Sequence, residues 1–304
     1  MSWLLFAILG HAANGIAFII DKALLSTAFK RSATYAGLIC ILSFLVVLAA
    51  PWVTHWPTGT TAFVAIASGV TFTLGLWAFF AALARAEASR VVPIAGSLIP
   101  MLTLLGSFVF LNERLSQPQL LGFAFLVVAT VILSSSGGKA RPPANAIGFV
   151  LLSSVLFGIA SVSAKFSYDA LGFLSGFISN RLAAAATAVV VVTLLDSAAG
   201  SELWSIVRPK KGKGSKLTKN AGILAVIGQA TGSAGFLLVQ YAVSMGSASI
   251  VNALQAVQYA LLVLAAFALR HRAPKLLGEN LAPKVVAIKT FALILTAIGL
   301  ALIL

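Results

Sequence analysis

Apolar residues in this chain occur in ten long runs, separated by short breaks that are rich in Gly, Pro or charged residues. A run of about 20 apolar residues is long enough to cross the hydrocarbon core of a membrane as a helix, which satisfies its own backbone hydrogen bonds. The pattern therefore predicts an all-α polytopic membrane protein with ten transmembrane helices. The predicted spans lie near residues 2–22, 34–54, 61–84, 89–111, 117–135, 145–165, 172–195, 220–243, 247–269 and 285–304.

Motifs of the first half of the chain recur in the same order in the second half. The recurring pairs are Gly15–Lys22 with Gly158–Lys165, Thr73–Val91 with Ser233–Val251, and Glu113–Pro118 with Glu279–Pro283. Because each copy holds five spans, an odd number, the second copy crosses the membrane in the opposite sense from the first. Inverted repeats are usual in alternating-access carriers, whose substrate site lies near the midplane between the repeats.

The breaks also predict how the chain is divided. We assign a first five-helix repeat to residues 1–136, a Gly/Pro-containing linker to 137–144 and a second five-helix repeat to 145–304. The longest hydrophilic stretch, a Gly/Lys-rich loop at 208–219, lies inside the second repeat.

One region carries a resemblance to a known family. Leu83–Pro100 and the following Phe110–Gly122 join two apolar segments through a short Glu-Arg-Leu-Ser turn. This region resembles the signature of the EamA-type transporters of the drug/metabolite transporter superfamily, most specifically over residues 73–135. The resemblance implies two EamA-like repeats around a central cavity.

Composition agrees with a membrane protein and excludes several functions. Hydrophobic residues make up 60% of the chain and charged residues 9%, far from the balance of a soluble domain. The net charge of +14 comes from Lys and Arg in short gaps between apolar runs, so we expect no nucleic-acid partner. With Cys40 as its one cysteine and no metal-ligand cluster or nucleophile–base pair, the sequence predicts neither an enzyme, nor a metal site, nor a cofactor.

Membrane orientation is left open by two opposing indications. All Lys and Arg except Arg114, Lys165 and Arg181 lie in loops after odd-numbered spans, if Lys22 and Lys289 are counted with their flanking loops. The positive-inside rule then places both termini outside, whereas the family resemblance implies that both lie in the cytoplasm.

Polar side chains inside the spans are the candidate substrate contacts, because such groups usually face a cavity or a partner helix. Asn252, Gln255 and Gln258 recur at helical spacing and place three amides on roughly one face. The alternative is that these groups hold helices together. The predicted substrate-binding set is His11, Asn14, Trp77, Ser97, Gln229, Asn252, Gln255 and Gln258.

Other residues suggest hinges or structural roles. Pro93, Gly96 and Pro100 predict a kinked fourth span that acts as a hinge. Arg181 lies within the seventh span and either binds an anionic group, snorkels to the interface or pairs structurally. Glu113 is expected to cap the helix that follows it.

These features predict a secondary transporter of small polar metabolites, such as amino-acid-like neutral, zwitterionic or anionic compounds. We expect a multi-pass protein of the plasma membrane, more specifically of a bacterial inner membrane. Its expected partners are the lipid bilayer and a small-molecule substrate. The nearly featureless spans 5 and 10 predict contact with lipid or a homodimer interface. Alternatives are a membrane scaffold or partner subunit, and a membrane enzyme acting on lipid-linked substrates.

Overall fold

A computed structural model describes residues 2–25, 32–86, 88–134, 143–207, 219–269 and 283–304. Within these ranges the chain is helical apart from short connections, and no strand is present. The helices are α1 (Ser2–Leu25), α2 (Ser32–Leu42), α3 (Gly59–Leu83), α4 (Ala88–Phe110), α5 (Gln117–Ser134), α6 (Ala144–Leu171), α7 (Phe173–Val190), α8 (Ser197–Val207), α9 (Lys219–Met245), α10 (Ala248–Ala253), α11 (Gln255–Leu269) and α12 (Pro283–Ile303). The predicted all-α architecture is confirmed. The 208–218 part of the basic loop and most of the linker lie outside the described residues.

Seven of the helical segments are long and apolar enough to cross a membrane. They are Ala33–Trp52, Gly59–Leu83, Ala144–Leu171, Phe173–Leu194, Val226–Met245, Ala248–Ala265 and Val285–Ile303. The Ala33–Trp52 segment combines α2 with a 3₁₀ helix at Ser43–Trp52. The Phe173–Leu194 segment continues α7 into a π-helical turn at Val191–Leu195. Shorter apolar helices lie at Ser2–Phe18, Ile94–Phe110 and Gln117–Leu133. The protein is therefore polytopic, while the total of ten transmembrane helices stays a prediction.

Large apolar side chains point outward and small or polar ones point inward. Phe63 and Phe110 are 72% and 77% exposed, whereas Ser68, Thr103 and Ser153 are buried. A soluble protein would reverse this arrangement, because exposed aromatic side chains are costly in water. Hydrocarbon makes it favourable, since lipid solvates apolar side chains and leaves polar ones to find partners inside the bundle.

The two halves of the chain pack on each other through several pairs of helices. Helix α1 of the first half packs on α9 of the second, and α3 of the first half packs on α6 of the second. Likewise α4 packs on α6 and α1 packs on α11, while α5 packs on α12. Suppose that α1–α5 correspond in order to α6, α7, α9, α10–α11 and α12. The α1–α9 contact then corresponds to the α3–α6 contact, and the α4–α6 contact corresponds to the α1–α11 contact. An inverted repeat requires such pairing, although superposition of the halves stays a prediction.

Glycines from the matched motifs make matching contacts. A Cβ atom at Gly15 of α1 would lie 3.4 Å from the side chain of Gln258 on α11. A Cβ at Gly158, the equivalent residue on α6, would lie 3.0 Å from the side chain of Leu102 on α4. Small residues of this kind let membrane helices approach closely. The repeated sequence motif therefore has a repeated packing role.

The ninth predicted span contains one irregular turn, at Leu254, and we call this segment the broken span. Helix α10 ends at Ala253, Leu254 forms a turn, and α11 begins at Gln255. Ser247 caps the start of α10, where its hydroxyl accepts a hydrogen bond from the Ile250 amide. Leu254 keeps helical dihedral angles, φ −63° and ψ −6°, and its amide donates to the Ile250 carbonyl at 2.9 Å, so the irregularity is confined to this one turn.

The turn between α4 and α5 corrects one expectation. Glu113 does not cap α5, because Ser116 and Gln119 form the reciprocal capping bonds at 3.0 and 3.4 Å. Glu113 instead accepts a hydrogen bond from the hydroxyl of Ser247, at the start of α10. The carboxylate therefore ties the first half of the chain to the second.

Candidate functional site

Asn252 joins three helices beside the break in the ninth span. Its Nδ2 donates to Thr103 Oγ1 of α4 at 3.0 Å and to Ser161 Oγ of α6 at 3.1 Å. Each bond replaces a partner that water would otherwise supply, so the amide is stable at this depth. The three side chains form a polar junction between the first half, which contributes α4, and the second.

His11 of α1 contacts the backbone of the same span, at Val251 of α10. Its Nε2 donates to the Val251 carbonyl at 2.8 Å, which assigns the proton to Nε2 because a carbonyl can only accept. The Nδ1 atom is buried and lacks a hydrogen-bond partner. Gln258 lies beside the imidazole and is also buried. Helices α1, α10 and α11 are therefore linked through one imidazole.

Gln255 and Tyr259 form a third polar contact, one turn further along. Gln255 Nε2 donates to the Tyr259 hydroxyl at 3.0 Å. That hydroxyl approaches α4 at Gly96, where a Cβ would lie 3.3 Å from the Tyr259 oxygen. Gly96 thus provides the space for an aromatic ring between α4 and α11.

The remaining predicted residues make separate contacts. Asn14 lies over Gly235 at the α1–α9 crossing, and Trp77 meets Phe149 edge-to-face at 5.7 Å. Ser97 donates to the Ile94 carbonyl of its own helix at 3.0 Å. Gln229 is half-buried on α9. The structure brings His11, Asn252, Gln255 and Gln258 to the broken span, and it distributes the other four elsewhere, so a single shared cavity stays a prediction.

The predicted hinge in α4 is not an interruption. Helix α4 is continuous from Ala88 to Phe110, through both prolines. Pro100 is buried and Gly96 packs against Tyr259, while the Pro93 side chain lies outside the described part. The kink and hinge role of α4 stay predictions, and the irregular turn that the structure shows lies in the ninth span, at Leu254.

A second polar cluster surrounds Arg181 on α7. The side chain is 6% exposed, and its guanidinium carbon lies 4.1 Å from the centre of the Phe72 ring and 4.6 Å from that of Phe236. The two rings meet edge-on at 5.4 Å, so they form a corner that holds the cation. These rings come from α3 and α9, one from each half.

Polar groups in this Arg181 corner are incompletely paired. Arg181 Nε and both polar atoms of the Asn180 amide are buried without hydrogen-bond partners. Nearby, the Tyr168 hydroxyl donates to Gln240 Oε1 at 2.8 Å, which connects α6 with α9. Tyr168 and Cys40 are the titratable groups that interact with the guanidinium.

The two ring contacts offset only part of the cost of burying Arg181. Burial of an isolated ion costs several kcal/mol, and each cation–π contact returns only about 0.5–2 kcal/mol. The two described carboxylates nearest in sequence have other partners, since Asp169 pairs with Lys165 at 2.8 Å and Asp196 accepts from the Ala199 amide at 3.0 Å. The rings alone therefore do not offset the desolvation of Arg181.

Sequence reasoning did not foresee the Arg181 corner. A mid-span arginine was the available signal, but its ring partners Phe72 and Phe236 lie more than fifty positions away in other helices. Nothing in the local pattern distinguishes these two phenylalanines from those that face lipid. The structure also shows that Arg181 does not snorkel outward, since it is almost fully buried.

A surface recess lies apart from both clusters. It has a volume of about 360 Å³ and opens between α4 and α5, next to the Glu113 turn. Its lining is mainly apolar, including Met101, Leu105 and Phe108, which are exposed on the outer face of the bundle. The recess is a feature of the lipid-facing surface and contributes no polar group from the broken span.

A helical bundle of apolar exterior, with polar junctions between two similarly packed halves, defines a multi-pass membrane protein. Residues 1–135 match the EamA-like transporter family, which confirms the resemblance over that part of the chain.

Two further similarities were found. An uncharacterized protein of Methanocaldococcus jannaschii is 36% identical over 72 residues, which are 24% of this chain and 52% of that protein. The match thus spans about half the length of this curated relative. A crystal structure with 17% sequence identity superposes with a TM-score of 0.67, over 99% of this chain and 97% of the other. At that identity the likeness shows the fold alone.

Proposed function

We propose that this protein is a secondary transporter that moves small polar metabolites across a plasma membrane by alternating access. The observation that carries the proposal is the exchange of equivalent helices between halves, α1 on α9 and α3 on α6. Such an arrangement permits one half to rock against the other around a central site. The family of the first half supports the same activity.

The broken ninth span gives this motion a local element that can move. Its turn at Leu254 lies between Asn252, which binds α4 and α6, and Gln255, which binds Tyr259. Rotation of α10 relative to α11 would release the Asn252 amide from Thr103 and Ser161 and offer it to a substrate. Uncharged amides of this kind recognise carboxylate, amine or hydroxyl groups, which suits amino-acid-like compounds.

The proposal includes two further aspects. The membrane is a bacterial inner membrane, and a homodimer forms through the outer faces of α5 and α12. These helices pack on each other, and residues such as Leu121 and Phe291 remain more than half exposed on their outer sides. The same faces suit lipid if the protein is a monomer.

Uptake into proteoliposomes tests the transport proposal. The purified protein is reconstituted and supplied with a panel of labelled amino acids, organic acids, sugars and amines, and protein-free vesicles serve as background. We expect saturable uptake of at least one polar compound. Absence of uptake for the whole panel, in either direction of a substrate gradient, would favour the scaffold or partner-subunit alternative.

Substitution at the polar junction tests the role of the ninth span. Asn252→Leu keeps the approximate volume and removes both hydrogen bonds, so we expect uptake to fall while the protein still inserts. Asn145→Leu is the matched control, because Asn145 is exposed at the start of α6. Uptake that is unchanged in both variants would mean that Asn252 only holds helices together.

A further inference from the structure

We propose that the Arg181 corner, formed by Arg181, Asn180, Phe72 and Phe236, binds the carboxylate of a small organic anion. The inference rests on the proposed transport function and names a substrate class for it. The predicted set of amides did not include this corner.

The polar groups of the corner are the first support. Arg181 Nε is buried without a hydrogen-bond partner, and the adjacent Asn180 amide is buried without a hydrogen bond of good geometry, with the Tyr168 side chain as its polar neighbour. Buried polar groups in native proteins are nearly always paired with protein, water or a ligand. A carboxylate supplies what both residues lack, because its two oxygens accept from a guanidinium and from an amide.

Charge balance selects a monoanion. The corner contains one cation, and the titratable groups that interact with it are Tyr168 and Cys40, neither of which is basic. A carboxylate neutralises that cation, whereas a phosphate dianion would leave an excess negative charge in a desolvated position. The planar guanidinium also matches a planar carboxylate in a bidentate arrangement.

The aromatic rings select the rest of the ligand. Phe72 and Phe236 meet edge-on, and the guanidinium carbon lies over both rings, so the surroundings of the cation are apolar and aromatic. Phe157 and Phe177 extend this surface through ring contacts of 5.7 and 6.3 Å. We therefore expect an apolar or aromatic substituent next to the carboxylate.

The corner also connects binding with the two halves. Phe72 belongs to α3 of the first half, whereas Arg181 and Phe236 belong to α7 and α9 of the second. A ligand held by all three side chains stabilises one relative position of the halves. Such differential stabilisation is what a substrate must provide in order to shift a conformational equilibrium.

Binding to the purified full chain in detergent is the direct test. Labelled benzoate is measured by equilibrium dialysis, with acetate, benzamide and inorganic phosphate as competitors. We expect saturable benzoate binding, weaker competition by acetate, and little competition by benzamide or phosphate. Arg181→Gln should reduce benzoate affinity roughly 10- to 100-fold, which is the effect of losing one charge-assisted hydrogen bond.

Two variants separate this role from a structural one. Arg114→Gln is the matched control, because Arg114 also lies over a ring, that of Phe108 at 3.8 Å, but is exposed. Its benzoate affinity should be unchanged. Asn180→Asp places a carboxylate beside Arg181, so it should abolish benzoate binding and raise the unfolding temperature. This second variant also provides the test if Arg181→Gln fails to fold.

The outcomes distinguish the inference from the transport proposal. Absence of benzoate and acetate binding, or equal binding in the wild type and Asn180→Asp, overturns the inference. Equal affinity for benzoate and benzamide does the same. Benzoate binding that depends on Arg181, without uptake of any compound by proteoliposomes, contradicts transport and leaves the binding site standing. Uptake by proteoliposomes that is unchanged by Arg181→Gln supports transport and contradicts the Arg181 corner as the substrate site.

Discussion

Gly69 is the residue at which the packing of the halves can be tested most sharply. It lies on α3, where that helix crosses α7 of the other half. A Cβ atom added at Gly69 would lie 2.5 Å from Ala183 Cβ and 2.6 Å from the Asn180 carbonyl oxygen, with the Ala184 amide nitrogen closer still. Backbone atoms cannot rotate out of the way, so Gly69→Ala forces α3 and α7 apart.

The expected magnitude follows from two opposing contributions. Overpacking a well-packed site costs about 1–3 kcal/mol, and the backbone contacts at Gly69 place it near the upper end. Replacement of Gly by Ala within a helix returns up to about 1 kcal/mol. We therefore expect Gly69→Ala to reduce the free energy of unfolding by about 2 kcal/mol, the difference between these contributions.

Two other glycines provide matched controls for the same substitution. At Gly75, also on α3, the nearest atoms to a Cβ belong to the side chains of Leu156 and Phe157 at 3.3 Å, which can give way slightly. At Gly148 on α6 nothing lies within 4 Å. Gly75→Ala should therefore remain close to the wild type, and Gly148→Ala should be as stable or more stable.

Thermal unfolding of the three variants in one detergent gives the answer. The expected order of unfolding temperature is Gly148→Ala, wild type and Gly75→Ala together, and Gly69→Ala clearly lowest. If Gly69→Ala unfolds at the temperature of Gly148→Ala, the close α3–α7 crossing is not present and the argument from Cβ distances is refuted.

Two further predictions concern the link between halves and the orientation of the chain. Ser247→Ala removes the cap of α10 and the bond to Glu113, so it should lower stability by about 1–2 kcal/mol in thermal unfolding; Ser116→Ala, which removes the cap of α5 alone, should cost less. Cysteines placed at 208–219 in a Cys40-free variant should resist an impermeant reagent in intact cells if the charge bias sets orientation. Ready labelling would instead support the orientation implied by the family.

The sequence predicts the membrane class well because the composition leaves little freedom. Long apolar runs have one stable form in lipid, and matched motifs such as Gly15 and Gly158 predict a repeat, with which the similar packing of these two glycines agrees. The break at Leu254 was not predictable in the same way. Leu is a good helix former, so the turn results from the surrounding contacts of α10 and α11 and not from local propensity.

The candidate site was predictable only in part, for a related reason. Asn252, Gln255 and His11 were singled out as polar residues in apolar runs, and in the structure all three make polar contacts at the broken span, while their role in substrate binding stays a prediction. Spacing gives no information about which partner a polar group meets. Thr103 and Ser161 satisfy Asn252 from helices distant in sequence, and Phe72 and Phe236 enclose Arg181 in the same way.

The Asn252 junction and the Arg181 corner differ in how completely their polar atoms are hydrogen-bonded, and this difference suits them to different roles. The Asn252 Nδ2 atom already donates two hydrogen bonds, to Thr103 and Ser161. A substrate must displace bonds of similar strength and therefore gains little net free energy there. Arg181 and Asn180 have buried polar atoms with none, so a ligand gains the full benefit of pairing them. In the proposed transporter, the Asn252 junction is therefore suited mainly to hold and release the halves, and the Arg181 corner is suited to contribute the larger part of the free energy of ligand binding. A carrier needs both, because the energy of binding at one place must be used to break contacts at another.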